Sequence, residues 1–215
     1  TSPPVQLPDL EELVEQKWQE ELGRNPNAKA GPILSIRDIT QEDDHLTIKY
    51  GMTDYRWFVG TADPEVRDSH GPDACHTATA VCTVIESADD NLLIHLRGRQ
   101  MAYPRCYHVL GGMVSEPDPF KIIRREVEEE AGIMYEECEE PILLGIAGDL
   151  KPGRMNHEFC FKIRVPLELT EIKRRHELGQ PPAELRRLAA VMAGEMAIEA
   201  APFDLLIVGA GITGC

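Results

Sequence analysis

Residues 119–133 read PFKIIRREVEEEAGI, and this stretch sets the frame for the rest of the chain. Asp118 just before it is a natural N-cap, Pro119 suits the first helical position and Gly132 supplies a left-handed stop, so the signals predict a helix over 119–131. At about 100° per residue, Phe120, Ile123, Val127 and Ala131 make one apolar stripe that must face a core. Glu126, Glu129 and Glu130 fall at i, i+3 and i+4, within an arc of roughly 100° beside that stripe. Like charges at this spacing cost an isolated helix a few tenths of a kcal/mol per pair, and a cation reverses the sign. A run of three glutamates is ordinarily a solvated face. Hard divalent ions such as Mg²⁺, however, take carboxylate oxygens and bridge protein to substrate phosphates.

Outward from this helix the patterning alternates short apolar runs with turn signals. Upstream, strands are expected at 80–85, 92–96 and 107–110, with Asp89-Asp90-Asn91 as a hairpin between the first two. Downstream, strands are expected at 142–146 and 159–165, helices at 169–178 and 183–198, and a last apolar strand at 205–208. Nearer the N-terminus, Leu10, Leu13, Val14 and Trp18 recur at helical spacing up to Gly23, and 33–36, 46–48 and 57–59 read as short strands. Residues 62–74, rich in Asp, Pro, Gly and His, read as a linker or long loop. No internal repeat or low-complexity tract interrupts this order.

The length of 215 residues allows one full domain with an appendage, and a sizeable core without staples. With 22 Lys+Arg against 37 Asp+Glu the formal charge is -15, which disfavours a nucleic-acid partner over most of the surface. An anionic small molecule would need local basic spots or divalent cations. The six cysteines (75, 82, 106, 138, 160 and 215) form neither a C-x-x-C pair nor a cluster at zinc spacing, and read as reduced thiols. No apolar run reaches the roughly 18 residues of a membrane span, and Thr-Ser-Pro-Pro lacks the features of a signal peptide. A trimmed chain in the cytoplasm is expected, with no membrane partner, and self-association stays open.

Gly111-Gly112, followed by Arg125-Glu126-Val127-Glu128-Glu129-Glu130-Ala131-Gly132-Ile133, resembles the Nudix hydrolase box, G-x5-E-x7-R-E-U-x-E-E-x-G-U with U aliphatic. The second half of that pattern would arise by chance in a chain this long roughly once in 10⁴ sequences or fewer. Counted from Gly111, the spacing to Arg125 matches, but in the loop from Gly-Gly to the helix the first box glutamate falls on Pro117, flanked by Glu116 and Asp118, and either neighbour could supply its carboxylate. Leu110 also stands where many members have proline.

The resemblance implies an α/β fold, an α/β/α sandwich around a mixed sheet. It implies Mg²⁺, with Mn²⁺ as the alternative, held by Glu126, Glu129, Glu130 and a loop carboxylate such as Glu116, with Arg125 orienting the carboxylates. Gly111 and Gly112 would let backbone approach a diphosphate. The reaction would be attack of water on phosphorus in a nucleoside diphosphate conjugate. Arg97 and Arg99, two apart on a strand, share a face and could clamp phosphate, or be merely exposed. Glu158 begins a strand where some members place a further metal ligand or the general base; His157 is a second candidate there, and His108 reads as a packed strand residue. Three rivals to the hydrolase of such conjugates stand beside it: an ADP-ribose pyrophosphatase, a non-hydrolysing nucleotide-binding module regulating a fused flavoenzyme, and an isomerase on the same scaffold.

Within the family, PILLGIAG at 141–148 with Gly153-Arg154 and Glu158-Phe159, and YGMTDYR at 50–56 with FVGT at 58–61, are similar to the branch that hydrolyses UDP-sugars to UMP and a sugar 1-phosphate. The tail FDLLIVGAGITGC at 203–215 resembles the opening of an FAD-dependent oxidoreductase, an apolar strand running into Gly209-x-Gly211-x-x-Gly214. One residue after Gly214 offers no helix to meet a pyrophosphate, so this piece is expected to hold no flavin by itself. The expected division is an appendage over 1–70, a hydrolase domain over 71–202 and the tail over 203–215.

Overall fold

The structure, a computed structural model, describes residues 8–43, 45–97, 106–149, 156–178, 185–192 and 205–208. Five helices, α1 (Pro8–Arg24), α2 (Tyr55–Thr61), α3 (Pro64–His70), α4 (Pro119–Ala131) and α5 (Leu169–Leu178), accompany two sheets. The smaller sheet is the antiparallel hairpin β1 (Pro32–Glu42) and β2 (His45–Asp54), with a bulge between Ile36 and Asp38. The larger is mixed. Its main path runs β10 (Leu205–Val208), β7 (Ile142–Asp149), β8 (His157–Arg164), β3 (Thr79–Glu86), β4 (Asn91–Arg97) and β5 (Tyr107–His108). Two further strands join it: β6 (Leu110–Met113) on β3 and β9 (Leu185–Met192) on β4.

β3 organises this sheet. One edge lies parallel to β8 along its whole length, while the other is shared by β6, opposite residues 80–83, and β4, opposite 85–86. The β3–β4 turn closes at Asp90, whose φ of 58° is the left-handed region that Asp tolerates. Odd residues of β3 and β8 (Val81, Ile85, Phe159, Phe161, Ile163) are buried in one core with Ile122, Ile123, Val127 and Ala131 of α4 and Ile172 of α5. Each Val, Ile or Phe side chain among them contributes about 1.5–3 kcal/mol on full burial. Leu34 and Ile36 of β1 enter the same core, and the Ile36 N–H donates to Thr79 Oγ1 at 2.9 Å. A second cluster, Leu10, Val14, Trp57, Val66 and Ala74, joins α1, α2 and α3.

Several expectations need correction. Residues 57–59 are helical, because the Asp54 side chain caps α2 by accepting from Arg56 N at 2.8 Å and Trp57 is then buried against α1. Much of the expected loop at 62–74 is α3, entered through Asp63, which accepts from Glu65 N at 2.9 Å, with Pro64 at the first helical position, followed by a 3₁₀ turn at Pro72–Ala74. The helix expected at 183–198 is strand β9 over Leu185–Met192, where β4's free edge supplies backbone partners that outweigh a helical pattern; 193–198 lie outside the described residues. Along α4, Ile122 is buried and Phe120 is partly exposed, its ring meeting Phe161 edge-on at 5.0 Å. Among the described residues no helix is long and apolar enough to cross a membrane.

Candidate functional site

The site lies where α4 meets the edge strand β6. Asp118 accepts from Phe120 N (3.0 Å) and Lys121 N (3.2 Å), so its carboxylate is engaged as the N-cap. Gly132 ends the helix at φ 66° and donates to the Glu128 carbonyl at 3.0 Å. The two glycines expected in a loop instead sit inside β6, opposite Cys82 and Val81. A side chain on Gly111 would collide with the Val81 carbonyl oxygen, and a Cβ on Gly112 would lie 2.5 Å from Glu126 Cδ. Gly111 is therefore demanded by the close packing of β6 on β3, whereas at Gly112 a side chain would displace only the flexible end of Glu126.

Four carboxylates gather along this junction. Glu126 lies against Gly112 with a side chain only 15% exposed, and Glu130 Oε2 accepts from the Gly111 N–H at 3.2 Å. Arg125 is the hub: its guanidinium is 3.4 Å from Glu126 and 4.0 Å from both Glu129 and Glu116. Glu116 also accepts from Lys121 Nζ at 2.7 Å. With Asp118 engaged in capping, Glu116 is the loop carboxylate that faces Arg125. Glu129 is 62% exposed and open to water. Burial raises the Glu126 pKa, the Arg125 charge opposes this and the Glu129 charge adds to it.

Among the described residues no group of three or more His, Cys, Asp or Glu is assembled as a metal cage. Mg²⁺ is usually held by one or two carboxylates, waters and substrate phosphates, so an all-oxygen donor set completed by substrate suits it. Glu126, Glu129 and Glu130, not assembled into a cage, could each offer an oxygen to such an ion.

Glu158 is not brought to these groups. It is in register with Ala80, one position off the Val81–Phe159 row that faces α4, so its carboxylate emerges on the opposite side of the sheet, beside Cys82. His157 does share the α4 side; among the described residues its buried Nδ1 has no hydrogen-bond partner, and burial lowers its pKa. His108 stacks obliquely near His95, with centroids 5.9 Å apart. Arg97 is the last residue of β4, and Arg99 lies outside the described residues.

One contributor escapes sequence reasoning. His176 of α5 is buried and its Nδ1 meets the Glu130 carbonyl at 3.1 Å, holding the last turn of α4. Arg175 beside it donates to Glu137 (2.6 and 2.9 Å) and Glu171 (2.8 Å), clasping α5 to the turn after α4. The Arg174 and Arg175 guanidiniums hold Glu171 at a pKa of about 2. The His176–Glu130 pair is 46 residues apart, and only a polar residue on the buried face of α5, four after Ile172, hints at it.

Several solved structures are similar to this chain. The MutT protein from Methanosarcina mazei Go1 shares 17% identity over 54% of this chain and 77% of its own, with a TM-score of 0.42. The MutT NUDIX hydrolase from Burkholderia pseudomallei shares 20% over 54% and 82%, with a TM-score of 0.39. A MutT/nudix family protein from Enterococcus faecalis shares 16% over 54% and 43%, with a TM-score of 0.37. No protein-family model matches the sequence, and no curated protein matches it.

Proposed function

We propose that the chain is a Nudix-type hydrolase that cleaves the diphosphate of a nucleoside diphosphate conjugate with Mg²⁺. The observation that carries this reading is the meeting of the two halves of the box: the Gly111-Gly112 strand lies directly against Glu126 and Glu130. Glu126, Glu129, Glu130 and Glu116 would hold the ion, which when bound supplies Lewis-acid polarisation and neutralises charge on phosphoryl oxygens. Arg125 pairs with three of these carboxylates, Glu116, Glu126 and Glu129. The Gly111 N–H fixes one oxygen of Glu130, and the missing side chain of Gly112 lets Glu126 sit against the strand. The site's placement of Glu158 across the sheet favours a base other than Glu158.

The preferred substrate in this reading is a UDP-sugar, released as UMP and sugar 1-phosphate; the patches at 50–61 and 141–148 support it by likeness. The division into an appendage (1–70), a hydrolase domain (71–202) and a tail (203–215) belongs to the same reading, as does a cytoplasmic setting. Antiparallel pairing of Leu205–Val208 with β7 supports reading the tail as a docked strand, and its deletion should leave hydrolysis nearly unchanged.

The test is a panel of about a dozen nucleotide conjugates with Mg²⁺ or chelator, read as nucleoside monophosphate released. Glu129→Gln or Glu130→Gln should lower kcat by about 10²–10³, several kcal/mol of transition-state stabilisation, with the fold intact. Unchanged turnover in both variants at saturating Mg²⁺ would refute the assignment. Preference for ADP-ribose would overturn the substrate and leave the reaction class standing.

A further inference from the structure

On the sheet face turned away from α4, Cys82 of β3 and Cys160 of β8 are direct register partners in the parallel pair. The two thiols are free, and the neighbouring Cys160 sulfur, burial and the Glu158 carboxylate together raise the Cys82 pKa, while the Cys82 thiol lowers that of Cys160. The rows beside them hold no side chain: Gly111 is Cys82's partner on one side and Gly145 is Cys160's on the other. Each sulfur therefore has the other as its lateral neighbour. Cys82 is 8% exposed, while Cys160 is only half-buried.

We infer that Cys82 and Cys160 are a redox-active pair, joined into a disulfide across the two central strands by a hydroperoxide and reopened by a thiol reductant. Adjacent strands lie about 4.8 Å apart, inside the Cα separation of about 4.4–6.8 Å that a disulfide spans. Cys160, the more accessible sulfur, attacks the peroxide oxygen, giving a sulfenic acid and one molecule of alcohol or water. The Cys82 sulfur then attacks the sulfenic sulfur, the S–S bond forms, and the sulfenic hydroxyl leaves with the thiol proton as one molecule of water. Two thiols are oxidised by two electrons and one peroxide O–O bond is reduced. This inference does not depend on the hydrolase reading.

The test uses the full chain, reduced, exposed to hydrogen peroxide and then alkylated with N-ethylmaleimide under denaturing conditions. Of the six thiols, two should be lost to alkylation and recovered after dithiothreitol. Peptide mapping should show the Cys82 peptide joined to the Cys160 peptide, about 2 Da below their sum. Cys82→Ser should abolish that link and leave Cys160 trapped as a sulfenic acid that dimedone captures. Full alkylation of both cysteines after peroxide would overturn the inference, and so would a link from either one to a different cysteine or to a second copy. Should the serine variant fail to fold by circular dichroism, the mapping of the unmodified sequence decides alone.

Discussion

The cluster beneath α1 and the core beneath the sheet are held by different means. In the first, five apolar residues are ringed by neutral polar clasps: Thr61 Oγ1 donates to the Trp57 carbonyl (2.8 Å) and accepts from His76 N (2.8 Å). His76 in turn stacks on Trp57 at 5.0 Å and is hydrogen-bonded through Nδ1 to Thr53 at 2.5 Å. The sheet core is built from Phe159, Phe161 and many Ile and Val, and its charges stand at the rim, where Glu126 is pressed on β6. Volume decides the stability of the second. The first depends also on a protonation state.

Removing volume from the sheet core should have the largest effect. Phe161→Ala should cost about 3–5 kcal/mol by urea unfolding, since it also frees Phe120 at the start of α4, whereas Leu10→Ala in the small cluster should cost about 2–3. Equal losses would break the contrast. Next comes pH: burial first, then the Arg37 charge, lowers the His76 pKa to about 4 from 6.5, with Asp54 opposing. The folded state thus prefers the neutral ring, so His76's contribution is complete above pH 6.5 and is lost as pH falls toward 4, up to about 3 kcal/mol. His76→Asn should flatten that part of the stability-pH profile; an unchanged slope would remove His76 from the account.

Gly60→Ala probes how closely α1 and α2 approach. A Cβ there would lie 2.8 Å from the Val14 Cα, a backbone atom that yields only if α1 shifts, and a loss of about 1–3 kcal/mol is expected in thermal melts. The smallest effect has the opposite sign. Because the folded Glu126 pKa is raised above 4.5, its contribution to stability falls as pH rises through the window above 4.5. Glu126→Gln should therefore stabilise the fold at pH 7, by a few tenths of a kcal/mol for the relieved i,i+3 repulsion alone, while hydrolysis falls. A less stable variant would mean that the carboxylate is a structural partner of β6.

Residues 119–131 were legible because cap, first-turn proline, stop glycine and apolar period all agree, and so the flank carrying the three glutamates was legible too. Trp57-Phe58-Val59 misled because aromatic and β-branched residues favour strands, although the Asp54 cap that makes them helical is present in the sequence. β9 could not be read locally, since its reason for being a strand is β4, about ninety residues away. For Glu158 the alternation was readable but the face was not: that follows only from its register with Ala80 and from α4 lying on the Phe159 side. His176 reaches Glu130 through packing of two helices, a relation no spacing encodes.

The parallel pairing of β3 with β8 also sets an order in time. Thr83 bonds the Phe161 carbonyl from 78 residues upstream, whereas β4 and β6, β3's partners on its other edge, follow it closely in the chain. At about 5–20 residues per second a ribosome needs about 4–16 s to deliver the missing strand. During that interval β3 carries one satisfied and one open edge, a template for any extended segment nearby. The middle of the sheet thus stays open until β8 has been made, and only β9 and β10, which add to β4 and β7, arrive later.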